Sequence, residues 1–317
     1  MAKKKKRYRI KKGPIIFLLI LIIGIVGGIY GYKKYQEKIN SDEYKLTELG
    51  YSETEISGIV SLEREYIDII LGREYNKFLP EIFKEKYFIL ENLDKYLSYK
   101  AELNNKDTPL SQIVAYVNTR ANEEFYSNPK PTDLSKGYLM IVNKFNYLEE
   151  GYEPEDLTKM GLQYAFSGKT LREEVYESFK GMVKDAKALD LTIVANSAFR
   201  DYDYQNKLYN DYKDSRGKKY ADSYAARAGY SEHQTGLAID VSTLNSTLDN
   251  FDETEEFLWL KDHAHEYGFI LRYPEDKEEI TGYNYEPWHY RYVGVEVATE
   301  IKNLGITFDE YYAYYLK

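Results

Sequence analysis

Ser231-Glu232-His233-Gln234-Thr235-Gly236-Leu237-Ala238-Ile239-Asp240 carries an imidazole and a carboxylate on either side of a glycine. Gly236 permits a sharp turn after His233. Leu237-Ala238-Ile239-Asp240-Val241 alternates large apolar residues with Ala and Asp, the pattern of a strand with one packed face and one face toward a site. Ala238 shares a strand face with Asp240, and its small side chain leaves room beside the carboxylate for a metal and water. Further along, Glu286-Pro287-Trp288-His289 sets a second imidazole close to a carboxylate, with Pro287 holding Glu286 out of helical geometry.

The chain has four histidines and no cysteine, which excludes disulfides, a thiolate nucleophile and every thiolate metal site. A catalytic zinc site needs three N/O ligands and one open position, and His233, Asp240 and His289 supply that count. A carboxylate beside the metal but not bound to it can take a proton from water and deliver it to the leaving amine; Glu286 is the candidate. On spacing alone, two structural histidines account for the pattern equally well. His263 and His265 flank Ala264 on a helical stretch, point in different directions, and read as ordinary helix residues.

Around these motifs, Leu171 to Leu189 is helical in pattern, and Leu191 to Phe199 is β-branched-rich and reads as a strand ending at Arg200. Tyr138-Leu139-Met140-Ile141-Val142 suits a short buried strand, and Phe257 to Tyr267 a helix stopped by Gly268. Mixed order without a βαβ repeat favours an α+β domain.

The pattern S-x-H-x-x-G-x-A-x-D at Ser231 to Asp240, followed by E-x-W-H at Glu286 to His289, resembles the zinc D-alanyl-D-alanine carboxypeptidases of the VanY and LdcB group. Ser197-Ala198-Phe199-Arg200 with Gln205, Trp259-Leu260 leading to Tyr267-Gly268-Phe269, and Leu271-Arg272-Tyr273-Pro274 extend the resemblance over roughly residues 138 to 317. It implies a hedgehog/DD-peptidase-like zinc domain whose antiparallel sheet bears the metal. It also implies Zn2+ on His233, Asp240 and His289, and Glu286 as general base and acid. Arg200 is then a catalytic and substrate-binding residue that clamps a carboxylate or steadies the reacting carbonyl oxygen. Gln205 and Ser231 line the same pocket, although Ser231 also suits a turn cap. Arg272 reads as a loop holder or an internal ion-pair partner.

The implied reaction is removal of the C-terminal D-alanine from peptidoglycan stem peptides. Enzymes cutting the L,D bond of tetrapeptide stems share these motifs, as do endopeptidases. A rival from another class is a non-catalytic wall-binding or scaffold protein; such a relative is expected to have lost a ligand or the base, and here all four residues are present.

Outside this region, Pro14 to Tyr32 is nineteen residues without a charge, nearly enough to span a bilayer core of about 30 Å. Residues 1–34 hold ten Lys or Arg and no Asp or Glu, although the whole chain has 43 basic against 52 acidic residues and a net charge of −9. That balance argues against nucleic acid as a partner. Dense basic residues before the apolar run place that end in the cytoplasm and the rest of the chain outside. No A-x-A site follows the run, which favours an uncleaved single-pass anchor over a signal peptide. Gly24 and Gly28, like Gly27 and Gly31, have helix-packing spacing without setting an oligomeric state. The expected layout is a basic cytoplasmic tail (1–13), a transmembrane anchor (14–33), an all-helical stalk module (34–110) and the zinc peptidase domain (111–317). Ser52 and Glu55 mark a capping box in the stalk, which reads as a spacer or as a docking surface for another envelope protein.

Overall fold

The computed structural model describes residues 12–103, 107–244 and 248–317. Residues 1–11 of the expected basic tail lie outside the described residues, as do Asn104, Asn105 and Lys106 of the expected break at the end of the stalk. Contacts divide the chain into two units between Phe88 and Ile89.

The first unit begins with the helix Lys12–Ile39, which buries none of its residues. At about 1.5 Å per residue it is roughly 42 Å long. Among the described residues it is the one helix long and apolar enough to cross a membrane. Short helices follow at Asp42–Leu49, Glu53–Ile59 and Arg64–Leu71. Ser52 and Glu55 form a reciprocal capping box, satisfying backbone N–H groups that the first turn leaves unpaired. Leu46, Ile59, Ile70, Leu79 and Ile82 are fully buried in this unit.

Residues 89–110, placed with the stalk in the sequence reading, group with the second unit, where the hydroxyl of fully buried Tyr96 donates to Asn118 at 2.5 Å. The centre of this unit is a four-stranded antiparallel sheet in the order Val194–Ser197, Ala238–Ser242, His289–Tyr292, Phe269–Leu271. One face is covered by the helix Glu173–Lys187. Its Val175, Phe179, Met182, Val183 and Ala186 recur at three- and four-residue steps and pack on Ile239, Val241, Phe269 and Tyr290. The architecture is thus mixed helix and sheet.

Three local expectations are corrected. The run Tyr138 to Val142 forms no strand: Leu134–Leu139 is a 3-10 segment kinked at Gly137 (φ 57°, ψ −123°). Met140, Ile141 and Val142 are buried as expected, but the carbonyls of Tyr138 and Met140 accept from the Arg291 guanidinium at 2.9 and 2.7 Å. A side chain therefore satisfies backbone groups that a strand partner would otherwise pair. The strand expected to reach Arg200 ends at Ser197, after a register shift between Ala195 and Ser197. The helix expected to run to Tyr267 ends at His263 and continues as a 3-10 turn, closed by Gly268 at φ 80°.

Candidate metal centre and active site

His233 lies in the 3-10 turn Glu232–Thr235, whose N-cap Ser231 accepts from the His233 backbone N–H at 3.3 Å. The turn closes at Gly236 with φ 66°. A Cβ there would lie 2.9 Å from Arg172 Cγ and 3.1 Å from Leu157 Cδ2, so both conformation and space require glycine. The chain then enters the Ala238–Ser242 strand, in which Asp240 is directly paired with His289 of the neighbouring strand. Glu286 sits in the turn before that strand: its carbonyl accepts from His289 N–H at 3.1 Å, and its own N–H donates to the Tyr273 carbonyl at 3.1 Å. Glu286 and His289 thus share a site across a turn, with Glu286 out of helical geometry as Pro287 implied.

Asp240 Oδ1 lies 3.3 Å from His233 Nε2 and 3.2 Å from His289 Nδ1. Glu286 Oε2 is 3.5 Å from the same His289 nitrogen. The three ligand atoms lie within 4.8 Å of one another, and all three residues are buried. His233 Nε2 and Asp240 Oδ1 have no hydrogen-bond partner despite their burial. Two orphaned atoms of this kind, aimed at a common point beside a third ligand, fit a bound cation. The N/O donor set suits zinc with an open position. The opposite nitrogen of His233, Nδ1, lies 2.6 Å from the Ala198 carbonyl, which leaves the Nε2 lone pair free.

The electrostatics agree. Burial pushes His233 down to about 4, so it is neutral at pH 7 and able to ligate. Burial pushes Glu286 up to about 8, aided by the charge of Asp240. Burial also opposes the charged form of His289, but the nearby carboxylates of Asp240 and Glu232 outweigh it and raise the group to about 9. The carboxylates around His289 thus favour a positive charge at this point, whether proton or metal.

Arg200, Gln205, Ser231, His233, Asp240, Glu286 and His289 all line one cavity of about 110 Å³. Arg200 is half-buried and its Nε has no partner; its backbone N–H donates to the His233 carbonyl at 3.3 Å. Gln205, in the helix Tyr202–Arg216, donates to the Ala226 carbonyl at 2.7 Å and leaves its Oε1 unpaired. Ser231 both caps the turn and lines the cavity. His263 stacks on Trp259 at 5.0 Å, and neither it nor His265 lines the cavity. Arg272 is an internal ion-pair partner, at 2.8 Å from Glu232 and 2.6 Å from Asp309.

Two contributors escaped the sequence reading. Tyr273 packs its ring 4.8 Å from that of His289. Glu232, side-chain accessibility 0%, pairs with Arg272 and Arg291. Its acidity beside His233 was visible, but its arginine partners lie 40 and 59 residues away.

A family model described as D-alanyl-D-alanine carboxypeptidase, VanY, matches residues 168–295. A D-alanyl-D-alanine carboxypeptidase of Enterococcus faecium is 40% identical over 223 residues, covering 68% of this chain and 70% of the relative. The chain belongs to the VanY family. Within reach of this VanY family member is also YodJ of Bacillus subtilis, 38% identical over 181 residues; the match spans 55% of this chain and 66% of YodJ, just short of two thirds of its length. Among solved structures, the LdcB LD-carboxypeptidase is 35% identical with a TM-score of 0.56, covering 59% of this chain and 91% of that one.

Proposed function

We propose that this VanY family member is a zinc carboxypeptidase that removes the C-terminal D-alanine from peptidoglycan stem peptides ending in D-Ala-D-Ala. The observation that carries the reading is the convergence of His233 Nε2, Asp240 Oδ1 and His289 Nδ1, with Glu286 Oε2 3.5 Å from the last. His233, Asp240 and His289 would hold the zinc, which supplies Lewis acidity that polarises a carbonyl and makes water a competent nucleophile near neutral pH. Glu286 Oε2, which the charge of a bound cation would keep ionised, takes the proton of the attacking water and passes it to the departing amine nitrogen. Arg200, with its Nε unpaired in the cavity wall, binds the substrate carboxylate or steadies the developing oxyanion. Gln205 Oε1, also unpaired, accepts from a substrate N–H. Ser231 keeps the His233 turn in shape at the pocket wall. The helix Lys12–Ile39 anchors the chain in the cell membrane, with the catalytic unit outside the cytoplasm and the helices before it as a spacer or a docking module. An L,D-carboxypeptidase acting on tetrapeptide stems is the second reading, favoured by the likeness to the LdcB LD-carboxypeptidase.

The test is to incubate the detergent-solubilised chain and zinc with muropeptides ending in D-Ala-D-Ala or in a single D-Ala, and to quantify free D-alanine. Zinc-dependent release from the pentapeptide alone supports the D,D reading, and release from the tetrapeptide moves the assignment to L,D. No release from either, with zinc bound, rejects both.

A further inference from the structure

Glu232 is fully buried and uses only one of its two oxygens for hydrogen bonds. Oε1 accepts from Arg272 Nε at 2.8 Å and from Arg291 Nη1 at 2.8 Å. Oε2 has no hydrogen-bond partner and lies 3.6 Å from His289 Nε2, itself buried without one. An acceptor and a potential donor, each orphaned, therefore face one another across the side of His289 opposite Asp240. A buried carboxylate held between two guanidinium groups stays ionised, so it can only accept. Accepting from Nε2–H leaves the lone pair of His289 on Nδ1, the nitrogen that faces Asp240 Oδ1 at 3.2 Å.

We propose that Glu232 is a positioning residue for the metal centre: it fixes the orientation and tautomer of His289, which presents Nδ1 to the metal. The inference rests on the zinc reading above. Its structural logic is that one short turn serves both histidines. The turn Glu232–Thr235 carries His233 as a ligand and sends the adjacent carboxylate to the back of the other. The support extends further, because Arg272 Nη1 also pairs with Asp309 Oδ2 at 2.6 Å, and Asp309 Oδ1 accepts from Asn143 Nδ2 at 2.8 Å. The C-terminal segment is thereby connected to His289 through Asp309, Arg272 and Glu232, while Arg291 ties the same carboxylate to the Tyr138 and Met140 carbonyls.

Two measurements test this on the full chain in detergent. The first is the ring ¹H–¹⁵N spectrum of the zinc-loaded protein, with four histidines to assign and His263→Gln and His265→Gln to remove two of them. The expected result is His289 protonated at Nε2; protonation at Nδ1 overturns the proposal without any change at Glu232. The second is zinc affinity by chelator competition for Glu232→Gln, which keeps the shape but can turn an NH₂ toward the ring. The expected loss is about 10–100-fold with an unchanged circular dichroism spectrum. A folded variant that binds zinc as tightly as the original overturns the proposal alone. If the original chain itself binds no zinc, the metal reading falls and takes this inference with it. Should Glu232→Gln fail to fold, the spectrum of the original chain decides.

Discussion

The ring Nδ1 of His233 lies 2.6 Å from the carbonyl oxygen of Ala198, two residues before Arg200. The segment that brings Arg200 to the cavity therefore also sets the tautomer of His233, and the Arg200 N–H returns the tie by donating to the His233 carbonyl. Arg200 and His233 are thus tied to one another through the backbone of two separate segments.

Glu286→Ala is expected to lower D-alanine release by at least about 10²-fold, the usual contribution of a positioned acid–base group. Zinc affinity should change little, because Glu286 is not among the three candidate ligand residues. Parallel release assays and zinc titrations check both halves of this statement.

Arg200→Lys keeps the charge but loses the planar fork. A role in binding the substrate carboxylate or oxyanion requires Arg200→Lys to reduce kcat/KM clearly, with Arg200→Ala worse, and both variants to retain zinc. Steady-state kinetics at saturating zinc would separate this from a structural role, in which unfolding and not turnover is altered.

Gly236→Ala forces a Cβ into a left-handed turn and within 2.9 Å of Arg172 Cγ. A destabilisation of about 1–3 kcal/mol is expected. Because His233 lies in the same turn, zinc affinity should fall as well. Denaturant unfolding and chelator competition on the same sample would reveal whether the two effects travel together.

Zinc should stabilise the fold more as pH rises from about 6.5 to 9. In the metal-free protein His289 is raised to about 9, so the stability that its protonated form contributes is complete below 6.5 and is lost as pH climbs through 9. Glu286, raised to about 8, shifts stability in the same direction, since its favoured neutral form is lost as pH rises through 8. A bound cation replaces the lost proton in this field of carboxylates. Melting temperatures with and without zinc across this range check the sign; a zinc increment that shrinks with pH contradicts it.

The clustering of the candidate ligands was legible because His233 and Asp240 sit in one turn-and-strand unit, whose glycine and alternation are local properties. His289 and Glu286 were legible for the same reason: they are close in the chain, and Pro287 between them already spoke against a helix. Glu232 and Tyr273 were hidden because their meaning lies in partners that only the sheet brings near. The run Tyr138 to Val142 misled for a related cause. Its apolar side chains signalled burial correctly, but whether a buried backbone pairs with a strand or with a guanidinium depends on Arg291, about 150 residues away.

Asp240 and His289 are direct partners in the sheet register. A slip of one residue between these strands would turn one of the two side chains to the opposite face. The approach of Asp240 to His289 therefore depends on strand alignment, and a chain folded one step out of phase would not assemble the cluster with His233. Strand alignment and the integrity of this buried cluster are therefore one and the same property of the sheet.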